Sequence, residues 1–231
     1  MVGWDRIGEV LRAAGTEPRG GFHPQQGDGV PTLADGGQVL TLVLAGGVGG
    51  SLWPVFGRSP ELADGLPHAL DRWSRRVLDE TAATLGAQAL YPFVGPPHLP
   101  FQRWAMRAEP SAPSPLGILI HPDHGLWHSY RGALAFADKL ELPAREERPS
   151  PCETCADRPC LSTCPVAAFS GKGYDVVACL GHIGAEAGAD CMARSCLARR
   201  ACPIGRSLAH GPEQSAFHMR AFRRALTARS G

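Results

Sequence analysis

Cys152-Glu-Thr-Cys155-Ala-Asp-Arg-Pro-Cys160-Leu-Ser-Thr-Cys164-Pro165 is the stretch whose reading decides how this chain is organised. Four more cysteines follow, Cys179, Cys191, Cys196 and Cys202, and the last again has a proline, Pro203, behind it. These are all 8 cysteines of the chain. An iron–sulfur cubane must be reached from several directions, so it needs thiolates on a turning loop, with a more distant fourth cysteine to complete the cage. In two-cluster ferredoxins the cysteine before the proline ligates the other cluster. Applied here, that crossing assigns Cys152, Cys155, Cys160 and Cys202 to one [4Fe–4S] cluster. Cys164, Cys179, Cys191 and Cys196 then hold the second, and no cysteine is left over.

The spacing departs from the usual run in two places. Ala156-Asp-Arg-Pro159 separates the second and third ligands by four residues instead of two. Cys179 stands well upstream of Cys191, which leaves the completeness of the second cluster open. Paired cysteines also make tetrahedral zinc sites, and disulfides are the other alternative. Neither needs the two Cys-Pro endings.

The remainder of the chain sets the context. Of 231 residues 44% are hydrophobic and 19% charged, which suits a globular, soluble protein and not a disordered one. A net charge of +1 gives no general drive toward nucleic acid or a membrane surface. The cations are almost all arginine, with Lys139 and Lys172 the only lysines. Met1-Val-Gly-Trp-Asp-Arg places charges where a signal peptide needs an apolar run. The uncharged residues 39–57 are broken by Gly46, Gly47, Gly49, Gly50 and Pro54, so they read as strand and loop, not as a membrane span. The expectation is a cytoplasmic protein, where clustered cysteines are more often metal ligands than disulfides.

Residues 1–145 read as an α/β domain. A helix is expected over 5–14, stopped by Gly15, and a longer one over 66–85, ended by Gly86. Residues 39–44 suit a strand buried on both faces, and 88–94, 116–120 and 132–136 are further strand candidates. The prolines of 96–115 suggest a long irregular segment serving as part of a pocket or lid. The run Gly46-Gly-Val-Gly-Gly50 could approach a ligand closely but lacks the nucleotide-loop patterns. A charged, proline-bearing connector at 142–151 leads into the cysteine domain, residues 146–210. A helix over 211–231 is expected to pack through Phe217, Phe222 and Leu226. His182, near Cys179, is a candidate hydrogen-bond donor to a cluster sulfur.

Just before the connector stands Ile120-His121-Pro122-Asp123-His124-Gly125-Leu126-Trp127, followed by Arg131-Gly132. Read singly, His121 fixes a turn or ligates a metal. Trp127 packs in the core or stacks on a flat cofactor, and Arg131 makes a structural salt bridge or holds a cofactor anion. Taken together the motif resembles the CblC-type cobalamin-processing family, which has a flavin-nitroreductase-like fold. With the eight crossed cysteines behind it, the arrangement is similar to epoxyqueuosine reductase, a cobalamin-dependent iron–sulfur enzyme, without its tRNA-binding tail. The resemblance implies an α+β (α/β-like) cofactor domain over 1–145 followed by a dicluster ferredoxin-like domain. It also implies that His121, Gly125, Trp127 and Arg131 bind cobalamin, or less favourably flavin, supplied with electrons by the clusters. The activity implied is a cobalamin-dependent or corrinoid-reducing oxidoreductase served by a redox partner protein. A ferredoxin-like carrier without catalysis of its own is the alternative. The carboxylate expected in the related enzyme has only Glu109 as a counterpart. Neither nucleic acid nor a membrane is an expected partner.

Overall fold

The computed structural model describes residues 2–170 and 173–230, the last two of these without side chains, so Lys172 lies outside it. In chain order the helices are α1 Trp4–Ala13, α2 Trp53–Phe56, α3 Pro60–Ala63, α4 Ala69–Leu85, α5 Phe101–Ala108, α6 Pro159–Ser162, α7 Val176–Gly184, α8 Ala189–Arg194, α9 Leu197–Ala201 and α10 Pro212–Ser230. The strands are β1 Glu17–Phe22, β2 Thr41–Val48, β3 Gln88–Leu90, β4 Ala112–Pro113, β5 Leu119–Ile120, β6 His128–Phe136, β7 Phe169–Ser170 and β8 Gly173–Tyr174. The class is mixed α+β. No helix among the described residues is long and apolar enough to cross a membrane.

The chain forms two compact units. The first comprises Met1–Pro110 and His128–Arg148, the second Ser111–Trp127 and Pro149–Gly231. The segment from Ser111 to Trp127, expected with the first domain, thus belongs to the cysteine-bearing unit, and so does α10.

The first unit is built on a sheet of order β1-β2-β6-β3 in which every neighbouring pair is antiparallel. β2 is buried from Thr41 to Gly47, as its unbroken apolar run requires. α4 ends at Gly86 in the left-handed conformation at φ 66°, and it buries Trp73, Val77, Leu78 and Leu85 on one stripe. Gly132 on β6 leaves room for Leu78: a Cβ there would stand 2.5 Å from Leu78 Cδ1.

The segment 96–115 is not irregular throughout. Phe101, Trp104, Ala105 and Ala108 recur at helical spacing, and the prolines flank this stripe without interrupting it, so α5 forms and buries all four. Trp104 Nε1 donates to the Asp28 carbonyl at 2.8 Å, which anchors α5 within the unit.

Gly46 and Gly47, the first glycines of the run, lie within β2 and serve the sheet. The β2–β6 register shifts between Ala45 and Gly46, and a Cβ on Gly46 would lie 1.8 Å from the Ser129 carbonyl oxygen. Backbone cannot yield as a side chain can. Gly46→Ala is expected to destabilise the first unit by at least ~3 kcal/mol in chemical denaturation. A loss under ~1 kcal/mol would show that β6 tolerates the methyl.

Candidate metal centre

Local structure delivers the cysteines from seven places in the second unit. Cys152 and Cys155 lie on the loop before α6, Cys160 within it, and Cys164 just after it. Pro159 opens α6 at its first helical position, where the missing N–H costs nothing. Cys179 sits in α7, Cys191 in α8, and Cys196 at the N-cap of α9. Cys202 follows α9, where Pro203 ends the helix. α6 packs on α9, which carries Cys202 back to the first loop. α7 and α8 pack on each other and on α10.

All eight cysteines are free thiols. Burial raises Cys152, Cys160 and Cys202 above the usual thiol range. Neighbouring cysteines add to this: Cys202 and Cys155 on Cys152, Cys202, Cys152 and Cys155 on Cys160, and Cys155 on Cys202. Burial likewise raises Cys179 and Cys196, with Cys164 and Cys191 adding on the first and Cys191 and Cys179 on the second. The thiols that influence one another fall into two fours. One is Cys152, Cys155, Cys160 and Cys202; the other is Cys164, Cys179, Cys191 and Cys196. Bound metal reverses this balance, because a cation among thiols deprotonates them outright.

Several groups around these thiols suit a negatively charged centre. The Ala168 N–H donates to Cys164 Sγ at 3.4 Å, and the N–H groups of Ala198 and Arg199 point at Cys196 and that of Ile204 at Cys202. The Tyr174 hydroxyl is buried without a geometrically complete hydrogen bond, and after burial its nearest influence is the Cys179 thiol. Arg199 donates to the Leu126 carbonyl through Nε at 3.1 Å and Nη2 at 2.6 Å and lies 4.2 Å over the Trp127 ring. Burial pushes its pKa down to about 10, and the charge opposing that shift is Cys196. No carboxylate among the described residues pairs with it. A buried cation without an acid is costly, and a negatively charged group bound by the second four cysteines would offset that cost.

Among the described residues no three His, Cys, Asp or Glu side chains converge so as to hold a single metal ion. The two fours are groupings of electrostatic neighbours. Apolar side chains surround them: Leu116, Ile120, Leu126 and Ala198 pack with Cys152, Cys160, Cys164, Cys196 and Cys202, and Ile183 and Met219 with Cys179 and Cys191.

His182 Nε2 lies 3.9 Å from Cys191 Sγ, so its partner is Cys191 and not the Cys179 beside it in the sequence. With Cys191 as thiolate, Nε2–H is the donor. A weak bond of about 1 kcal/mol that favours the reduced, more negative centre corresponds to ~40 mV for a one-electron couple. His182→Ala is expected to lower the potential of the centre holding Cys191 by up to that amount in an EPR-monitored redox titration. An unchanged potential would remove His182 from the site.

The four residues expected to bind a cofactor fall in different units of the chain. His121, Gly125 and Trp127 lie in the second unit and Arg131 in the first. His121 is buried; its Nδ1 accepts from the N–H groups of Asp123 at 3.1 Å and His124 at 3.4 Å, and its ring stacks on His124 at 4.1 Å. It holds the turn. Trp127 is 1% exposed, with Arg199 on its face and the His210 ring against it at 5.1 Å. Gly125, at φ 56°, is held by backbone: a Cβ there would meet the Ile204 carbonyl oxygen at 2.0 Å. Arg131 donates through Nη2 to Asp71 at 2.5 Å and through Nε to Ser74 Oγ at 2.9 Å, which occupies its fork. Glu109 takes the Arg19 fork at 2.8 Å on each oxygen and the Tyr130 hydroxyl at 2.8 Å. It is the hub of a buried network.

Arg199 and Tyr174 went unnoticed in the sequence, although the first is three residues from Cys196 and the second five from Cys179. No protein-family model matches the chain, and a search of curated proteins finds no match.

Proposed function

We propose that the chain is an electron-transfer protein holding two [4Fe–4S] clusters in the second unit. What carries this reading is the order of the eight cysteines with their two Cys-Pro pairs, all gathered in the second unit. Bound there, the clusters would supply one-electron steps. The protein's own groups hold the thiolates, offset their charge through the backbone N–H donors, His182 and Arg199, and keep water away with Leu116, Ile120 and Leu126. Charge offset of this kind makes an iron–sulfur centre easier to reduce.

The resemblance adds a corrinoid, or a flavin, as the acceptor of those electrons. The residues that carry this addition are engaged in a turn, a core contact, a backbone contact and an ion pair. The carrier reading therefore stands first, and corrinoid binding is the branch to test. Anaerobic reconstitution is expected to yield about eight iron and eight labile sulfide per chain. Zinc without sulfide would overturn the reading. Titration of the reconstituted protein with cob(II)alamin then decides the branch: a stoichiometric change to a base-off EPR spectrum makes the chain a corrinoid reductase, and no change leaves a carrier.

A further inference from the structure

A carrier needs a place where its partner docks, and one feature of the second unit has the right charge and position. On α10, Ser215, Met219 and Leu226 are buried, and Met219 packs with Cys191 and Ile183. Phe222, expected on the packing side, is 37% exposed. Along another side of the same helix, Arg220, Arg223, Arg224, Thr227 and Ala228 recur at i, i+3, i+4, i+7 and i+8, all exposed. Together with Met192 they line a groove of about 550 Å³. None of the three arginines has a carboxylate partner among the described residues. Elsewhere in the same unit, by contrast, Asp190 pairs with Arg194 and Arg200.

Met192 joins this groove to the metal centre. It follows Cys191 in α8, packs with the Cys191 cluster of side chains, and also forms part of the groove wall. Met219 and Met192 both belong to the cluster of side chains packed with Cys191, and Met192 is the member that also lines the groove.

We infer that this groove is the docking surface for an acidic one-electron carrier protein that exchanges electrons through the centre holding Cys191. The inference rests on the two-cluster reading. Three cations over ~6 Å of helix, on two adjacent turns, form a charged patch on one side of α10. A methionine beside them gives an adaptable apolar contact of the sort transient interfaces use. No aromatic side chain lines the groove, which lacks the stacking platform a single-stranded nucleic acid would use. Redox encounters are small and short-lived, and charge complementarity sets their on-rate. In the exchange the partner loses one electron and is oxidised, the protein's centre gains it, and no bond or proton moves.

The test uses the reconstituted protein and a small acidic [2Fe–2S] ferredoxin as probe. Calorimetry gives the binding constant, and stopped-flow absorbance the rate of reduction by the pre-reduced probe, both against ionic strength. Arg220→Glu, Arg223→Glu and Arg224→Glu together are expected to weaken binding and slow reduction at least about tenfold and to abolish the salt dependence. Photochemical reduction by a deazaflavin should be unchanged, showing the centres intact. A variant of equal charge change on the first unit, Arg12→Glu with Arg58→Glu and Arg103→Glu, should stay within about twofold of the parent. Unaltered binding by the α10 variant, or an equal loss in the control, would overturn the docking surface while leaving the clusters in place. Displacement of the probe by an equimolar single-stranded RNA would overturn it in favour of nucleic acid. A chain that takes up no iron would overturn the parent reading and this one together.

Discussion

Gly125→Ala is expected to cost the second unit about 4 kcal/mol or more and to prevent full iron uptake. Two effects add at this position. Gly125 has φ 56°, where a Cβ costs roughly 1–2 kcal/mol. The added methyl would also stand 2.0 Å from the Ile204 carbonyl oxygen and 2.6 Å from its carbon. The approach is reciprocal, since a Cβ on Gly205, at φ 68°, would meet the His124 carbonyl oxygen at 2.4 Å. Two glycines let the turn that follows His121 lie backbone to backbone against the chain just past Cys202. Neither side can move without shifting Cys202, so the damage should reach the metal centre. Denaturation followed by circular dichroism, with iron analysis of the reconstituted protein, measures both. Were Gly125 a cofactor contact instead, the variant would keep its stability and its iron and lose only ligand binding.

Removing the cysteines one at a time should reveal the crossing. Cys202→Ala and Cys152→Ala are expected to disturb the same EPR signal, although they lie 50 positions apart in the chain. Cys164→Ala should disturb the other signal, in company with Cys191→Ala. In each case roughly half the iron should be lost, or one centre altered, while the other remains. An uncrossed arrangement would pair Cys164 with Cys152, and one EPR series separates the two. The expectation follows from the electrostatic neighbours of each thiol: Cys202 acts on Cys152 and Cys160, and Cys164 acts on Cys179.

The secondary structure was legible wherever a period or a punctuating residue was strong. The helix ending at Gly86 and the helix ending before Gly15 stop where their patterns place them, whereas the strand expected over 39–44 runs from Thr41 through the first glycines to Val48. α5 was hidden by the prolines around it, because eight residues carry a weak periodic signal beside so many breakers. The short β1, Glu17–Phe22, contains two glycines and a proline and presents no alternation to detect.

The candidate site divides along the same line. Cysteine spacing and the two Cys-Pro pairs led, from the sequence alone, to the proposed grouping of the thiols. A ligand set is a matter of residue type and order, and both are written in the chain. The contacts made by the residues from His121 to Arg131 were visible only in the tertiary structure. Contiguity suggested one pocket, and the chain passes from one compact unit to the other between Trp127 and His128. Arg131 then finds Asp71 and Ser74, and Trp127 finds Arg199 and His210, partners distant in sequence from the motif. The use of an arginine fork or an indole face depends on which group arrives beside it, and long-range packing settles that.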